Sequence, residues 1–324
     1  MAESPPVTGS GTAYTVETQV PAGIPEFFGT ACRLARIDLA TGDVTPLGPY
    51  VKDELRCATD LAFSPGGALY GIAGVEGEDD EESVELPSVD GTTPTTEAPA
   101  GLGESIDEVH LVRFDTATGA VTDLGAIGTA EAWIGLAGGL TFDPSGNLYV
   151  YMAGDDPGCD GDAFCLYRVD PANPASATFL GKDPQETYLF GLTTACNAGL
   201  YTIELLESGS SIDATADILA VIGGEQLDIV NPTPPAKATA VGGLIGKGRF
   251  VQSIDFAADG SLWALGSTSP RGYPRAQLSV LDRATGAQTM GPVLIRGGEG
   301  VSAVFGLAIS SPSCPVEIQP NFTG

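Results

Sequence analysis

Short apolar runs rich in Val, Ile, Leu, Tyr and Thr recur along the chain between Gly, Asp and Pro punctuation, and no stretch keeps a helical period. Runs of this kind predict strands, so the chain reads as all-β. Self-similarity then organises the strands. Residues 111–125, LVRFDTATGAVTDLG, followed by 138–154, GGLTFDPSGNLYVYMAG, are the clearest copy of a repeating unit. The unit returns as LARIDLATGDVTPLG (34–48) with DLAFSPGGALYGIAG (60–74), and as LYRVDPANPASATFLG (166–181) with FGLTTACNAGLYTIE (190–204). A worn copy pairs ILAVIGGEQ (218–226) with SIDFAADGSLWALGS (253–267), and the last pairs LSVLDRATGAQTMG (278–291) with FGLAISSPS (305–313).

Each unit predicts four strands. The innermost holds Leu61-Ala62-Phe63, Leu140-Thr141-Phe142, Leu192-Thr193-Thr194, Ile254-Asp255-Phe256 or Leu307-Ala308-Ile309. A tight Ser-Pro-Gly-Gly or Asp-Pro-Ser-Gly turn follows, built from residues that supply the backbone angles a hairpin needs. The second strand opens on Leu69-Tyr70, Leu148-Tyr149, Leu200-Tyr201 or Leu262-Trp263. The third ends at Ile37-Asp38, Phe114-Asp115, Val169-Asp170 or Leu281-Asp282, three of these leading into Ala-Thr-Gly; the fourth ends at a residue pair such as Leu47-Gly48 or Val241-Gly242.

The two ends of the chain fix the number of units. The last innermost strand, Phe305 to Ile309, has no Leu-Tyr strand after it, and the N-terminal region carries an orphan of that kind, Ala13-Tyr14-Thr15-Val16-Glu17. Pairing them completes a fifth four-stranded sheet and removes an exposed edge. The expectation is a five-bladed β-propeller of four-stranded antiparallel blades over residues 1–324, closed by the N-terminal strand on the C-terminal blade. Residues 76–107 stand apart: an acidic run, Glu78 to Glu82, leads into a Pro/Thr-rich segment, Pro87 to Pro99. Low hydrophobicity and like charge predict a mobile insertion between the second and third strands of one blade.

The Ile-Asp-x-x-Thr-Gly and Phe-Asp-Pro-x-Gly-x-Leu-Tyr pieces resemble the repeats of secreted bacterial β-propellers of the NHL-like kind, over nearly the whole chain. These are strand and turn positions, so the resemblance implies the fold and leaves activity open.

Composition adds three points. With 42 acidic and 14 basic residues the net charge is −28, which repels phosphate backbones and anionic lipid and argues against nucleic-acid or membrane partners. Such acidity suits solubility, a calcium-rich medium or a cationic partner. Six cysteines with no Cys-x-x-Cys, beside one histidine, favour disulfides over zinc and hence an extracellular or periplasmic setting. The N-terminus, Met1-Ala-Glu-Ser-Pro-Pro, has no signal peptide, which reads as a mature chain whose leader was replaced. Fifteen full pairings are open to six cysteines; Cys159 and Cys165 would clip the short acidic loop between them, and repeat register makes Cys32–Cys57 and Cys196–Cys314 the geometric expectations for the rest.

The links from second to third strand, and from fourth strand to the next innermost one, share one face and are long and varied, so binding is expected there. Arg56, Asp60, Trp133, Tyr188, Arg249, Gln252 and Glu299 lead into the innermost strands and would ring the channel mouth, a mixture suited to orienting a small polar ligand such as a sugar. The bland alternative is that the aromatic residues pack between blades and the arginines pair with local carboxylates. Asp155, Asp156, Asp160 and Asp162, bent by two glycines and flanked by Cys159 and Cys165, form a candidate calcium site or a solvated acidic turn. His110 lacks a recognisable serine or cysteine partner for a triad. Asp60, Glu299 or Asp255 would be the carboxylates of a glycosidase-like or lactonase-like hydrolase. The expected function is therefore a non-catalytic binding module for a small polar ligand, a glycan or a protein, with a hydrolase or a surface assembly protein as alternatives.

Overall fold

The computed structural model describes residues 12–19, 31–52, 55, 57–76, 106–128, 138–153, 159, 164–182, 188–195, 199–207, 222–245, 250–267, 276–296 and 303–310. They form five four-stranded antiparallel sheets. One is stitched from both ends of the chain: β1 (Thr12–Gln19) lies between β2 (Ala31–Ile37) and the last strand, β20 (Ala303–Ser310), with β3 (Val44–Pro46) outermost. Tyr14 faces Ala308 and Arg36 across the two ladders, as the orphan-strand argument requires. The next two sheets are β4 (Asp60–Phe63), β5 (Leu69–Glu76), β6 (Ile106–Phe114) and β7 (Val121–Ala126), then β8 (Leu140–Phe142), β9 (Leu148–Ala153), β10 (Phe164–Asp170) and β11 (Asn173–Lys182). The remaining two are β12 (Tyr188–Thr194), β13 (Leu200–Glu207), β14 (Ile222–Asn231) and β15 (Lys237–Leu244), then β16 (Phe250–Phe256), β17 (Leu262–Ser267), β18 (Ala276–Leu281) and β19 (Gln288–Leu294). The innermost strands pack in the order β4, β8, β12, β16, β20 and back to β4, which closes the ring of a five-bladed propeller.

Alternation within the strands explains why blades stack. In the second strand, Tyr14, Tyr70, Tyr149, Tyr201 and Trp263 occupy one repeat position. Three of them meet the phenylalanine that ends the innermost strand of the next blade: Tyr14 on Phe63, Tyr70 on Phe142 and Tyr201 on Phe256, with ring centroids 5.4, 5.0 and 5.4 Å apart. Edge-on pairs of this kind add to plain apolar burial and fix the angle between sheets. Thr194 and Ile309 stand where the other two phenylalanines would be; there the Tyr149 hydroxyl donates to Asp143 (3.4 Å) and the Trp263 indole N–H to Ser261 (3.1 Å).

The turns are equally local in origin. Asp38, Asp115 and Asp282 each accept two backbone N–H bonds through Oδ1 within the turn that follows, and Gly42, Gly119 and Gly286 supply the positive φ that ends it. These donors hold the exposed Asp115 and Asp282 carboxyls below the ordinary value.

Two details depart from the sequence reading. The Leu-Gly pair does not end the fourth strand in four of the blades. Gly125, Gly181, Gly242 and Gly291 take positive φ at a register shift, and the strand continues beyond the resulting bulge. The third strand of the worn copy is also displaced: it is β14, centred on EQLDIVN, rather than ILAVIGGEQ. Asn231 takes the role of the turn aspartate, its Oδ1 accepting from the Thr233 N–H at 3.0 Å.

Two of the bulge glycines, Gly181 and Gly242, also seat the next blade. A Cβ on Gly181 would lie 2.5 Å from the Ala236 nitrogen, and one on Gly242 only 2.2 Å from the Thr285 carbonyl oxygen, both in the turn of the following blade. Gly242→Ala, with φ +70 and a rigid backbone neighbour, is expected to cost about 3 kcal/mol in denaturant unfolding. A loss below about 1 kcal/mol would mean that this junction yields easily.

Candidate functional site

The axis of the ring is built from two alternating positions of the innermost strands. Toward the end where those strands begin lie Asp60, Gly139, Gly191, Ser253 and Gly306; one strand step further lie Ala62, Thr141, Thr193, Asp255 and Ala308. Three glycines in the first layer let the strands converge. A Cβ on Gly139 would sit 2.2 Å from the Leu192 nitrogen, on Gly191 2.8 Å from the Ile254 nitrogen, and on Gly306 3.0 Å from the Asp60 Cα. The space that remains holds one carboxylate and one hydroxyl.

Asp60 is 1% exposed. Its Oδ2 accepts from the Leu140 N–H at 3.0 Å, and its Oδ1 accepts from the Ser253 hydroxyl at 2.6 Å. Ser253 Oγ in turn accepts from the Leu307 N–H at 2.9 Å. This chain of bonds crosses from β4 to β16, past the intervening β20, and ties four blades together at the axis. Burial lifts the Asp60 carboxyl to about 7, against the pull of Ser253, Leu140 and Leu61 donors and with a further push from the Asp255 charge. Asp255, half-buried, forms the second tie. It accepts from the Thr193 hydroxyl (2.7 Å), its neighbour Phe256 N–H (2.8 Å) and the Ile309 N–H (2.6 Å), and burial lifts it to about 6 in spite of those donors.

Further out, towards the face where β1 meets β2, Glu17 is fully buried and its Oε2 takes the Arg33 Nε–H at 2.6 Å. The Arg33 guanidinium stacks 3.9 Å over the Tyr50 ring. Burial raises Glu17 above the ordinary carboxyl value while the hydrogen bond and charge of Arg33 draw it back. Beside it the Cys32–Cys57 disulfide, Cα atoms 5.2 Å apart, fastens β2 to the segment entering β4. Cys159–Cys165, at 6.1 Å, closes the short segment before β10. Cys32–Cys57 agrees with the repeat register and Cys159–Cys165 with the expected loop clip; Cys196 and Cys314 lie outside the described residues.

Of the seven residues expected at the channel mouth, the structure describes Asp60, Gln252 and the backbone of Tyr188. Asp60 and Ser253 meet at the axis, Gln252 is buried at the β16 register shift between Val251 and Ser253, and Tyr188 opens β12 opposite Leu205. Arg56, Trp133, Arg249 and Glu299 lie outside the described residues, as do Asp155, Asp156, Asp160, Asp162 and residues 77–105 of the acidic insertion. Among the described residues no group of three or more His, Cys, Asp and Glu side chains is placed to hold a metal ion, and no helix is long and apolar enough to cross a membrane. Sequence reasoning missed Ser253 and the Glu17–Arg33–Tyr50 group. The axial column Asp, Gly, Gly, Ser, Gly was legible once the repeats were aligned, because three glycines at one register position mark close backbone approach.

No protein-family model matches the chain, and no curated protein matches it in sequence. Solved structures share its fold at low identity. The exo-β-1,3-galactanase of Phanerochaete chrysosporium with galactose aligns at 12% identity and a TM-score of 0.54, over 88% of this chain and 61% of that one. TolB from Acinetobacter baumannii aligns at 15% identity with a TM-score of 0.42, over 94% of this chain and 67% of TolB. The calcium-binding protein regucalcin from Agrobacterium tumefaciens aligns at 12% with a TM-score of 0.38, over 78% and 68%. The chain thus spans about three fifths of the galactanase and two thirds of TolB. The galactanase likeness, at 12% identity, is one of fold alone, and the fold is the five-bladed β-propeller already described.

Proposed function

We propose that this chain is a non-catalytic extracellular or periplasmic binding module, which holds a small polar ligand of the sugar type on the face bearing the long links. The observation that carries this reading is the tied axis. Asp60 and Asp255, two of the three carboxylates that a hydrolase at the channel would use, each spend both oxygens on donors of the wall. A carboxylate so engaged holds neighbouring blades in place and is poorly disposed to take a proton from water or give one to a leaving group. The variable links around the mouth, with Arg56, Trp133, Arg249 and Glu299, then carry recognition together with Tyr188 and Gln252 near the starts of β12 and β16. Two disulfides support a setting outside the cytoplasm. Calcium on Asp155, Asp156, Asp160 and Asp162 belongs to the same reading, because the Cys159–Cys165 bridge lowers the cost of ordering that loop.

A glycan array probed with the full chain is the direct test. Saturable retention of one sugar class is expected, lost in Trp133→Ala and kept in Asp60→Asn. Turnover of aryl glycosides or δ-lactones that disappears in Asp60→Asn or Asp255→Asn would replace this reading with the hydrolase. Calorimetric titration with calcium showing neither heat nor a change in Tm would remove the metal.

A further inference from the structure

The chain has one histidine, and it is held between two carboxylates on the outer half of a blade. His110 lies on β6, its side chain 15% exposed. Its Nε2 is 3.0 Å from Glu108 Oε2, two residues earlier on the same strand. Its Nδ1 is 3.0 and 3.1 Å from the two oxygens of Asp123 on β7. A neutral imidazole carries a single N–H, so only the imidazolium can donate to both partners at once.

Asp123 has a second task. Its Oδ1 accepts the Gly125 N–H at 2.7 Å, the donor at the bulge where the register between β6 and β7 shifts. Gly125 has φ +106 and a Cβ there would touch nothing, so the glycine itself is not wedged in place; the carboxylate holds its N–H, while the bulged Leu124 packs against the apolar cluster of Leu111 and Ile127. The groups that face the ring are few. Glu108 shares its strand and Asp123 comes from β7, whereas its ladder partners Ala73 on β5 and Ala126 on β7 are apolar. Ala73 belongs to an apolar cluster with Val112, Cys32, Leu34 and Ala58, and the charges that act on the ring are those of Asp123 and Glu108.

We propose that Glu108, His110 and Asp123 form a proton-operated clamp that fastens the bulged end of β7 to β6 and releases it as the imidazolium loses its proton. Release leaves two carboxylates sharing one donor, in a protein already strongly acidic. Burial draws the imidazole down, but the hydrogen bonds and charges of Glu108 and Asp123 outweigh it and hold the ring above the ordinary histidine value. The folded value is therefore raised: the clamp is fully formed below about 6.5 and is lost as pH climbs through the higher folded value. The strand end it fastens lies on the same side of the ring as the β5–β6 link, so the proton controls how firmly the outer edge of this blade is held. This inference does not depend on the ligand.

Because the histidine is unique, its ring resonances in an NMR titration of the intact wild-type protein report the clamp without assignment. A midpoint above 6.5 is expected, moved down by about half a pH unit or more in both Asp123→Asn and Glu108→Gln. Hydrogen exchange of the Gly125, Ala126 and Ile127 amides, corrected for intrinsic rates, is expected to lose about tenfold protection between pH 5.5 and 8.5. His110→Gln is expected to abolish that local loss. A midpoint at or below the ordinary value, a midpoint indifferent to both carboxylate variants, or equal protection at the two pH values would each overturn the clamp. If the variants fail to fold, the wild-type midpoint and wild-type exchange still decide.

Discussion

Asp60→Ala lowers the stability of the ring by about 4 kcal/mol, the largest loss expected from any single change at the axis. Truncation removes the acceptor of the Leu140 N–H and the partner of the Ser253 hydroxyl, and both stay buried. It also empties the centre of a closed ring, where neighbouring strands cannot collapse inward because Gly139, Gly191 and Gly306 have already brought them into contact. Asp60→Asn behaves differently. An amide reproduces the protonated carboxyl, offering its oxygen to Leu140 and its NH2 to Ser253 Oγ, so the fold survives and the pH response changes.

The sign of that response follows from the raised carboxyl. Asp60 moves from an ordinary 3.8 to about 7 on folding, so between those values the unfolded chain gives up its proton while the folded ring keeps it. Stability is full below pH 4 and declines as pH rises towards 7, by roughly 4 kcal/mol if the whole shift is expressed. Asp255, lifted to about 6, adds a loss of the same sign over the lower part of that window. Denaturant melts from pH 4 to 8 are expected to fall steadily for the wild type and to run much flatter for Asp60→Asn. A wild-type stability that climbs from pH 4 to 7 would contradict the burial of these acids in ionisable form.

Gly139→Ala costs about 3 kcal/mol or more and shifts the denaturant midpoint without changing the slope. The added methyl would lie 2.2 Å from the Leu192 nitrogen and 2.5 Å from the Gly191 carbonyl carbon, both backbone atoms of the adjacent innermost strand. No side chain can swing aside to admit it. Relief requires the ring to widen, which stretches the Leu140–Asp60 and Ser253–Asp60 bonds together. Gly67→Ala is the matched control: φ is +81 but nothing lies within 4 Å, so only backbone strain of about 1 kcal/mol is expected. Equal losses at the two positions would show that convergence at the axis is not what Gly139 provides.

Much of the fold was legible because each blade repeats one local code. Leu-Tyr, Asp-x-Ala-Thr-Gly and the Asp-Pro-Ser-Gly turn are strand and turn signals that act over a few residues, and the five-fold recurrence of the unit they mark implied a ring. The stitched blade followed from counting strands. The reading failed where the local code was replaced rather than absent. Asn231 with Pro234 and Pro235 substitutes for Asp-Thr-Gly, so β14 was placed too early, and the Leu-Gly signal for a strand end proved in four blades to be a bulge, which at Gly181 and Gly242 seats the next blade's turn.

The candidate site was legible only as a list. Asp60 was selected for its place before an innermost strand, but its partners Leu140, Ser253 and, through Ser253, Leu307 lie between 54 and 193 residues apart along the links of this network. The His110 clamp hid for a similar reason: Asp123, 13 residues away, reaches the ring diagonally across the β6–β7 ladder, where it stands opposite Val112. The sequence alone therefore determined the number of blades and the closure by the N-terminal strand, since each rests on period-two alternation, turn chemistry or register, and it made two of the disulfides geometric expectations. Only the tertiary structure decided that the axis is tied by Asp60 and Asp255 and that the single histidine sits between carboxylates of two strands. Those outcomes depend on which atoms a closed ring brings within hydrogen-bond reach, and no short-range pattern encodes that.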